Sequence, residues 1–401
     1  QPRMSHPTSS RSLGRAQSAL WAVAMALALV PVPIPGVPAS GEFVPVLAVL
    51  LGGALMLALG ASVDAWPARA FLAWLLMRTA ADPSMRSIWC FLVVLAGIVL
   101  METAARLPAA AERWVAGVLI VGVGINLALG LGLNLALGIH PFAECPAWLP
   151  SSLGCDPGHL DHDFVRLPTG LLGHPNSLGL ALALTFPLAL TLRTKGRYLL
   201  SAIWFVGAVT TNSRLGVGLC LAALAVMTWG ALPWWRWCAL GGAGTAIVTW
   251  MVFGHGWVYA TSFGGRGPMW GLAFAASTTD WPMILAGYGL GSWATWAQMA
   301  SGPYQGAVNS WTMTAFSEPI QALYELGVVG LAIGAWWWLN AIRDAWACRP
   351  WRVASTSSRA WATAVLISVP ALFVTPVLHL PFAVLIVGFA VGRCRKAVKE
   401  T

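Results

Sequence analysis

One polar stretch leads directly into an apolar run: Phe316-Ser317-Glu318-Pro319-Ile320-Gln321-Ala322-Leu323-Tyr324-Glu325-Leu326-Gly327. It closes residues 254–319, the longest interval without a clean membrane-spanning run, and almost wholly apolar blocks lie on either side. A polar segment of this size between apolar blocks is more often a working surface than a connector. We therefore expect residues 254–319 to form a large loop that carries the functional site.

The composition indicates a membrane protein. Of 401 residues, 58% are hydrophobic and only 9% are charged, and the mean hydropathy is +0.72. A soluble core cannot use that much apolar surface. The net charge of +9 does not indicate a nucleic-acid partner, because the basic residues lie in short loops where the positive-inside rule places them. We predict a single integral membrane domain over residues 1–401, surrounded by membrane lipid.

The apolar runs predict an all-α, polytopic transmembrane bundle of about 12 spans. The runs cover residues 16–34, 44–63, 71–77, 88–104, 114–138, 177–192, 198–211, 215–230, 237–253, 320–339, 360–374 and 380–391. The run at 71–77 is short, and it crosses only because the alternation of charges requires a crossing there. Two extracytoplasmic loops follow from this order, at residues 139–175 and, between spans 9 and 10, at residues 254–319.

Charge placement orients the bundle. The basic groups at 193–197, 343–359 and 393–399 are expected in the cytoplasm, which also places both termini there. Five of the 23 Lys and Arg residues then fall on the far side, and all five are arginines: Arg78, Arg86, Arg166, Arg214 and Arg266.

The predicted topology also assigns each cysteine to a side of the membrane or to a span. Of the seven, Cys145 and Cys155 are the two that fall in a far-side loop. Two thiols ten positions apart in an oxidising compartment predict a disulfide, with two free thiols as the alternative.

Four motifs follow one another across about 165 residues, from Arg166 to Gly330. They are Gly173-His174-Pro175-Asn176 before one span, Ser213-Arg214 at the start of another, Gly265-Arg266 with Trp270 and the turn Gly287-Tyr288-Gly289, and Glu325-Leu326-Gly327 at the opening of a third. In this order they resemble the O-antigen ligase and O-antigen polymerase superfamily, bacterial membrane glycosyltransferases that act on lipid-linked glycans.

The resemblance implies a donor, an acceptor and a location. The donor is a glycan linked to undecaprenyl diphosphate, and the acceptor is a saccharide or a lipid A core. Transfer takes place on the periplasmic side of the bacterial inner membrane and needs no cofactor or metal. Whether the chain is a ligase or a polymerase stays open.

Arginine suits a diphosphate because its planar fork matches phosphate oxygens and stabilises the charge that develops on them. We expect Arg214 and Arg266 to be catalytic, since they lie inside the motifs. Arg166, Arg78 and Arg86 are candidates for substrate binding, with interfacial snorkelling or salt bridges as the alternative. Asn176 and Trp270 are further substrate-binding candidates, although Asn176 also fits a brace at a helix start and Trp270 an interfacial belt.

The acceptor hydroxyl must lose a proton, so a carboxylate or a histidine is needed. Ligases of the family carry a histidine where this chain has Phe316. Glu318 is the candidate base, with capping of its helix as the alternative, and His255 and His379 are the alternative bases. Glu325, two turns further along, is expected to pair with an arginine.

Other functional classes fit less well. The chain has no P-loop and no HExxH motif, which argues against ATP-driven pumps and zinc hydrolases. The segment Asp161-His162-Asp163 matches the DxD pattern of metal-dependent enzymes that use nucleotide sugars, but it lies on the predicted far side, away from cytosolic nucleotide sugars. A flippase or transporter of lipid-linked oligosaccharide is the alternative function. It predicts charges at the centres of spans and broken helices in paired halves, and the predicted spans are nearly free of charge.

Overall fold

A computed structural model describes residues 46–47, 49–50, 66–132, 172, 175–192, 194–228, 261–300, 315, 317–350, 356–375 and 377–400. Within these residues the protein is all-helical. The predicted spans at 16–34 and 237–253, most of the span at 44–63 and nearly all of the loop at 139–175 lie outside the described residues.

The helices are numbered here in chain order. They are α1 (Trp66–Ala81), α2 (Met85–Ala104), α3 (Ala109–Leu129), α4 (Pro175–Thr191), α5 (Arg197–Thr210), α6 (Arg214–Thr228), α7 (Thr261–Ser277), α8 (Trp281–Ala286), α9 (Ser292–Ala300), α10 (Glu318–Ala347), α11 (Thr356–Leu372) and α12 (Pro381–Glu400). A short 3₁₀ turn, Val377–His379, joins α11 to α12.

Among the described residues, three helices are long and apolar enough to cross a membrane: α2, α3 and α10. Helices α4, α5 and α6 are apolar but shorter. The predicted run at 71–77 lies inside α1, whose 16 residues rise about 24 Å, which is less than the ~30 Å hydrocarbon core of a bilayer. The total of about 12 spans stays a prediction.

A reciprocal cap fixes the start of α2. The Ser84 hydroxyl accepts the N–H of Ser87 at 3.0 Å, and the Ser87 hydroxyl accepts the N–H of Ser84 at 2.9 Å. Such a capping box satisfies donors that a helix N-terminus otherwise leaves open. It places Arg86 in the first turn of α2, close in the chain to Arg78 at the end of α1.

Helices α2 and α12 approach closely through glycines. A Cβ atom built on Gly388 would lie 2.5 Å from the carbonyl oxygen of Gly97, so a larger residue does not fit. Small residues allow apolar helices this approach. Further along, Gly392 meets Met101. The two helices therefore run parallel, with both N-termini at the same end of the bundle.

Ion pairs mark the other end, called here the basic end. Buried Arg393 near the end of α12 pairs with Glu112, while Arg395 contacts Glu102 at 2.8 Å and Asp344 at 3.1 Å. These pairs join the C-terminal parts of α2, α10 and α12 to the start of α3. A buried charge is tolerated when it is paired and hydrogen-bonded in this way.

The opposite end, called the site end, holds the C-terminus of α1 and the N-termini of α2, α10 and α12. The N-terminus of α6 also lies at the site end. The opposite end of α6 is tied to the start of α11 at the basic end, because Arg359 donates a hydrogen bond to the carbonyl of Met227. Gly179 near the start of α4 packs on Ser213, so the turn with Lys195 lies at the basic end. The charges are thus separated along the bundle as the positive-inside rule predicts, and the cytoplasmic assignment of the basic end stays a prediction.

The expected loop at 254–319 is largely helical where it is described. Residues 261–300 form α7, α8 and α9, all of which pack on α10. Met269, Ala273 and Trp293 are buried with Tyr324 in a small apolar core of their own. The prediction of a large polar loop did not include these helices, because glycines interrupt their apolar positions and the segment does not show the pattern of a membrane span.

Candidate functional site

Helix α10 is broken at Gly327, which has φ 68° and ψ −174°. Only glycine adopts this conformation readily, and a Cβ atom there would also collide with the carbonyl group of Leu285. A break in a helix leaves the carbonyls before it without their usual N–H partners. The affected carbonyls include those of Tyr324, Glu325 and Leu326.

Neighbouring donors take up these carbonyls. The N–H groups of Tyr288 and Gly289 bond the oxygens of Tyr324 and Glu325, each at 2.9 Å. The indole N–H of Trp74 on α1 bonds the oxygen of Leu326 at 3.2 Å. The break in α10 is therefore a built feature that docks the turn after α8 onto this helix.

That turn, residues 287–291, brings two predicted arginines to the site. Its glycines at 287, 289 and 291 all have positive φ. Arg78 Nη2 donates to the carbonyl of Gly287 at 3.0 Å, and Gly291 packs on the side chain of Arg86. Asp82 lies beside Gly289. Because a side chain at these glycines would meet the arginines or α10, the glycine-rich turn allows this close approach.

A polar cluster occupies the first two turns of α10 and the 3₁₀ turn before α12. It consists of Glu318, Gln321, Glu325 and His379. The three α10 residues are buried, and the His379 side chain is 14% exposed. Spacings of three and four residues place Glu318, Gln321 and Glu325 on one face of the helix.

Glu318 ties α10 to the segment before α12. One carboxylate oxygen accepts the backbone N–H of Leu378 at 3.0 Å, and the other lies 3.4 Å from Nδ1 of His379. Capping of α10 is therefore not the role that the structure gives this side chain. Its partners come from a different part of the chain.

Gln321 and Glu325 complete the cluster. The Gln321 amide nitrogen lies 3.0 Å from Oε1 of Glu325 and 2.9 Å from Nε2 of His379. Glu325 also accepts the N–H of Trp293 in the first turn of α9, at 3.3 Å. An amide and a backbone N–H occupy its Oε1, and its Oε2 lies 3.8 Å from Nε2 of His379. The expectation that Glu325 pairs with an arginine stays a prediction.

An apolar cavity of about 290 Å³ adjoins the cluster. Glu318, Glu325 and His379 line it at the site end, together with Leu290 from the glycine-rich turn. Its wall continues along α10 as far as Ile342, between α1 and α11. The cavity is thus a long apolar space with its carboxylates and histidine at one end.

The structure brings four of the predicted site residues to one region: Glu318, His379, Arg78 and Arg86. Arg214 and Asn176 lie at the starts of α6 and α4, also at the site end but on helices that do not form the cluster. Trp270 on α7 donates its indole N–H to the carbonyl of Ala315 at 2.7 Å, which gives it a structural contact.

Other predicted residues are described in part or not at all. Arg266 lies on α7, and its backbone alone is described. Arg166, His255, Cys145 and Cys155 lie outside the described residues. Their predicted roles stay predictions.

Sequence reasoning missed Gln321 and the part that Glu325 takes in the cluster. The signal was present, because Glu318, Gln321 and Glu325 repeat at the spacing of one helix face. The contribution of His379 had no such signal, since it reaches the cluster from 58 positions away in the chain.

Comparison of the chain with models of protein families and with curated proteins finds no match to either. The resemblance to O-antigen ligases and polymerases therefore rests on the motifs alone.

Proposed function

We propose that this protein is a membrane glycosyltransferase, which moves a glycan from an undecaprenyl-diphosphate carrier to a saccharide acceptor at the outer face of the bacterial inner membrane. The acceptor is another repeat unit in a polymerase or a lipid A core in a ligase. The observation that carries the proposal is the position of the Glu318–His379 pair, at one end of a long apolar cavity and beside a turn that holds two arginines.

The cavity suits the lipid part of such a donor. Beyond the carboxylates and the histidine at the site end, its lining is apolar as far as Ile342, as an isoprenoid chain requires. Arg78 and Arg86, held against the glycine-rich turn, supply positive charge near its polar end. A diphosphate bound at this end would lie near the guanidinium groups of both arginines, whose planar forks match phosphate oxygens.

The reaction assigns each group a task. The acceptor hydroxyl attacks the anomeric carbon of the donor sugar, and its proton passes to the carboxylate of Glu318. The bond between that carbon and the diphosphate oxygen breaks, and the electron pair leaves with undecaprenyl diphosphate. The arginines stabilise the negative charge that develops on this leaving group.

A transporter of lipid-linked oligosaccharide is the second candidate, and the break in α10 is the observation that favours it. Discontinuous helices in transporters expose backbone carbonyls that bind ions. Here the carbonyls of Tyr324, Glu325 and Leu326 are already bonded by the turn and by Trp74. The break is used for docking, which supports the enzyme over the transporter.

A reconstituted assay tests the proposal. The purified chain in lipid nanodiscs receives an undecaprenyl-diphosphate-linked oligosaccharide and either free repeat-unit oligosaccharide or lipid A core. We expect a lengthened saccharide or a glycosylated core, together with release of undecaprenyl diphosphate. Movement of intact donor across liposomes without any new glycosidic bond would favour the transporter instead.

A further inference from the structure

The Gln321 side chain has a fixed orientation. The backbone N–H of Ala315 donates to its oxygen at 3.1 Å, and a backbone N–H can only donate. Its nitrogen faces the carboxylate of Glu325 at 3.0 Å, which can accept. Exchanging the amide oxygen and nitrogen would place N–H against N–H and oxygen against oxygen. Two independent contacts therefore set the amide.

This orientation decides which nitrogen of His379 carries a proton. The Gln321 amide nitrogen is 2.9 Å from Nε2 of His379, and an amide NH₂ group donates but has no lone pair to accept. Nε2 must then accept, so it carries no proton. The proton of a neutral ring then lies on Nδ1, which is 3.4 Å from Oε1 of Glu318 without the geometry of a hydrogen bond.

The charged groups around His379 favour a second proton on the ring. His379 lies in the turn between α11 and α12, and the groups that face it are Glu318 and Glu325 on α10 and Cys90 on α2. Burial lowers the pKa of His379, but the charge of Glu318 and the hydrogen bonds with these three groups outweigh it and raise that pKa above its ordinary value. A second proton on the ring would sit on Nε2, where it would face the Gln321 N–H group at 2.9 Å, and Oε2 of Glu325 at 3.8 Å is too distant to accept it in a hydrogen bond. This contact between two donors opposes the effect of the charges and keeps the ring neutral.

We propose that Gln321 is a positioning residue, which holds His379 neutral with its proton on Nδ1, the nitrogen on the side of Glu318. Glu325 and Ala315 hold the amide, and the amide holds the ring. His379 then presents its protonated nitrogen beside the Glu318 carboxylate, and Glu318 is the group that takes the proton of the acceptor. Only this last consequence rests on the proposed glycosyl transfer.

Nitrogen NMR of the full-length protein tests the tautomer directly. The chain has seven histidines, so the other six are replaced by glutamine and the remaining ¹⁵N-labelled ring is observed in nanodiscs near neutral pH. We expect one protonated nitrogen, Nδ1, and one unprotonated nitrogen, Nε2. A proton on Nε2, in either the neutral or the cationic ring, would overturn the proposal.

A substitution provides the second measurement. Gln321→Glu keeps the shape but turns the donor at Nε2 into an acceptor, so both ring nitrogens should become protonated and the pKa of His379 should rise by about 1–3 pH units. Gln321→Met, which removes the amide without adding charge, should also allow the second proton. Unchanged ring signals in a folded variant would contradict the assignment.

A matched control separates this effect from general damage. Asn340→Asp makes the same amide-to-carboxylate change on α10, about 28 Å along the helix from the cluster, and should leave the His379 signals unchanged. The pH profile of glycan transfer is read in parallel and should move in the same direction in Gln321→Glu. The expected tautomer in a protein that transfers no glycan would remove the proposed function and leave the assignment of Gln321 standing.

Discussion

Arg78 shows how a single side chain serves both the fold and the proposed chemistry. Its Nη2 donates to the carbonyl of Gly287, while its buried Nε makes no hydrogen bond to the described residues. A lysine can replace one donor but not the planar fork. Replacing Arg78 by lysine therefore separates two roles: the structural contact, which needs one donor, and recognition of a diphosphate, which needs the planar fork.

We expect Arg78→Lys to fold and to slow glycan transfer by on the order of 10²–10³, almost as much as Arg78→Ala, because one charge-assisted contact to the leaving group is lost. Initial rates at saturating acceptor are the measurement. Arg69→Lys, an exposed position on the same helix, is the control and should transfer at the parental rate. Full activity of Arg78→Lys would show that glycan transfer does not need the planar guanidinium of Arg78.

At the scale of elements, the break in α10 and the turn after α8 form one unit. Gly327 makes the break, and the N–H groups of the turn satisfy the carbonyls that it leaves open. The same contacts hold Arg78 and Leu290 beside the cavity. The position of the site thus depends on a helix that cannot be continuous.

Gly327→Ala should destabilise the protein by at least about 1–3 kcal/mol, because alanine strains at this φ and ψ and its Cβ meets Leu285. Thermal unfolding in detergent, followed by loss of the monodisperse species, measures the effect. Gly218→Ala on α6 is the control, since nothing lies within 4 Å of a Cβ there, and it should be neutral or slightly stabilising. Equal effects of the two substitutions would contradict the assigned role of the break.

The sequence predicts the helices better than it predicts the polar cluster of Glu318, Gln321, Glu325 and His379. The apolar runs at 88–104 and 177–192 agree with the helices α2 and α4 to within three residues, because a long apolar run favours a helix, although only α2 of the two is long enough to cross a membrane. Helices α7 to α9 were missed, since glycines interrupt their apolar positions. His379 was named as an alternative base, but its contact with Glu318 depends on how α11 and α12 pack, which no local pattern records.

For the whole molecule, the separation of charge between the two ends predicts the orientation in the membrane. The basic end carries the Lys195 turn and the pairs of Arg393 and Arg395, whereas Arg78, Arg86 and Arg214 lie at the site end. Positive charge favours the cytoplasm. The cluster should then face the periplasm.

Labelling checks this orientation. In a background without native cysteines, Thr279→Cys, in the predicted extracytoplasmic segment 254–319, should react with a membrane-impermeant maleimide added from outside, and Lys195→Cys should react only after the cells are opened. Both positions are exposed, so access and not burial decides the outcome. The reverse pattern would place the site in the cytoplasm and rule out the proposed donor geometry.

The predicted disulfide belongs to the same scale, because it depends on which compartment receives residues 139–175. If that loop is periplasmic, Cys145 and Cys155 should be found linked in peptides digested without reductant. Mass spectrometry decides it. Alkylation of both thiols without prior reduction would contradict the disulfide.

If Glu318 takes the acceptor proton during glycan transfer, the substitution Glu318→Gln should abolish most of the activity. This change keeps the shape of the side chain and its hydrogen bond from Leu378 but removes the base. The matched control is Glu102→Gln at the basic end, where Arg395 keeps Asp344 as a partner. With both proteins in nanodiscs and the undecaprenyl-diphosphate-linked donor supplied, we expect the rate of transfer to fall by about 10²–10⁴ in Glu318→Gln and to stay at the parental value in Glu102→Gln. Parental transfer by Glu318→Gln would contradict this role of Glu318.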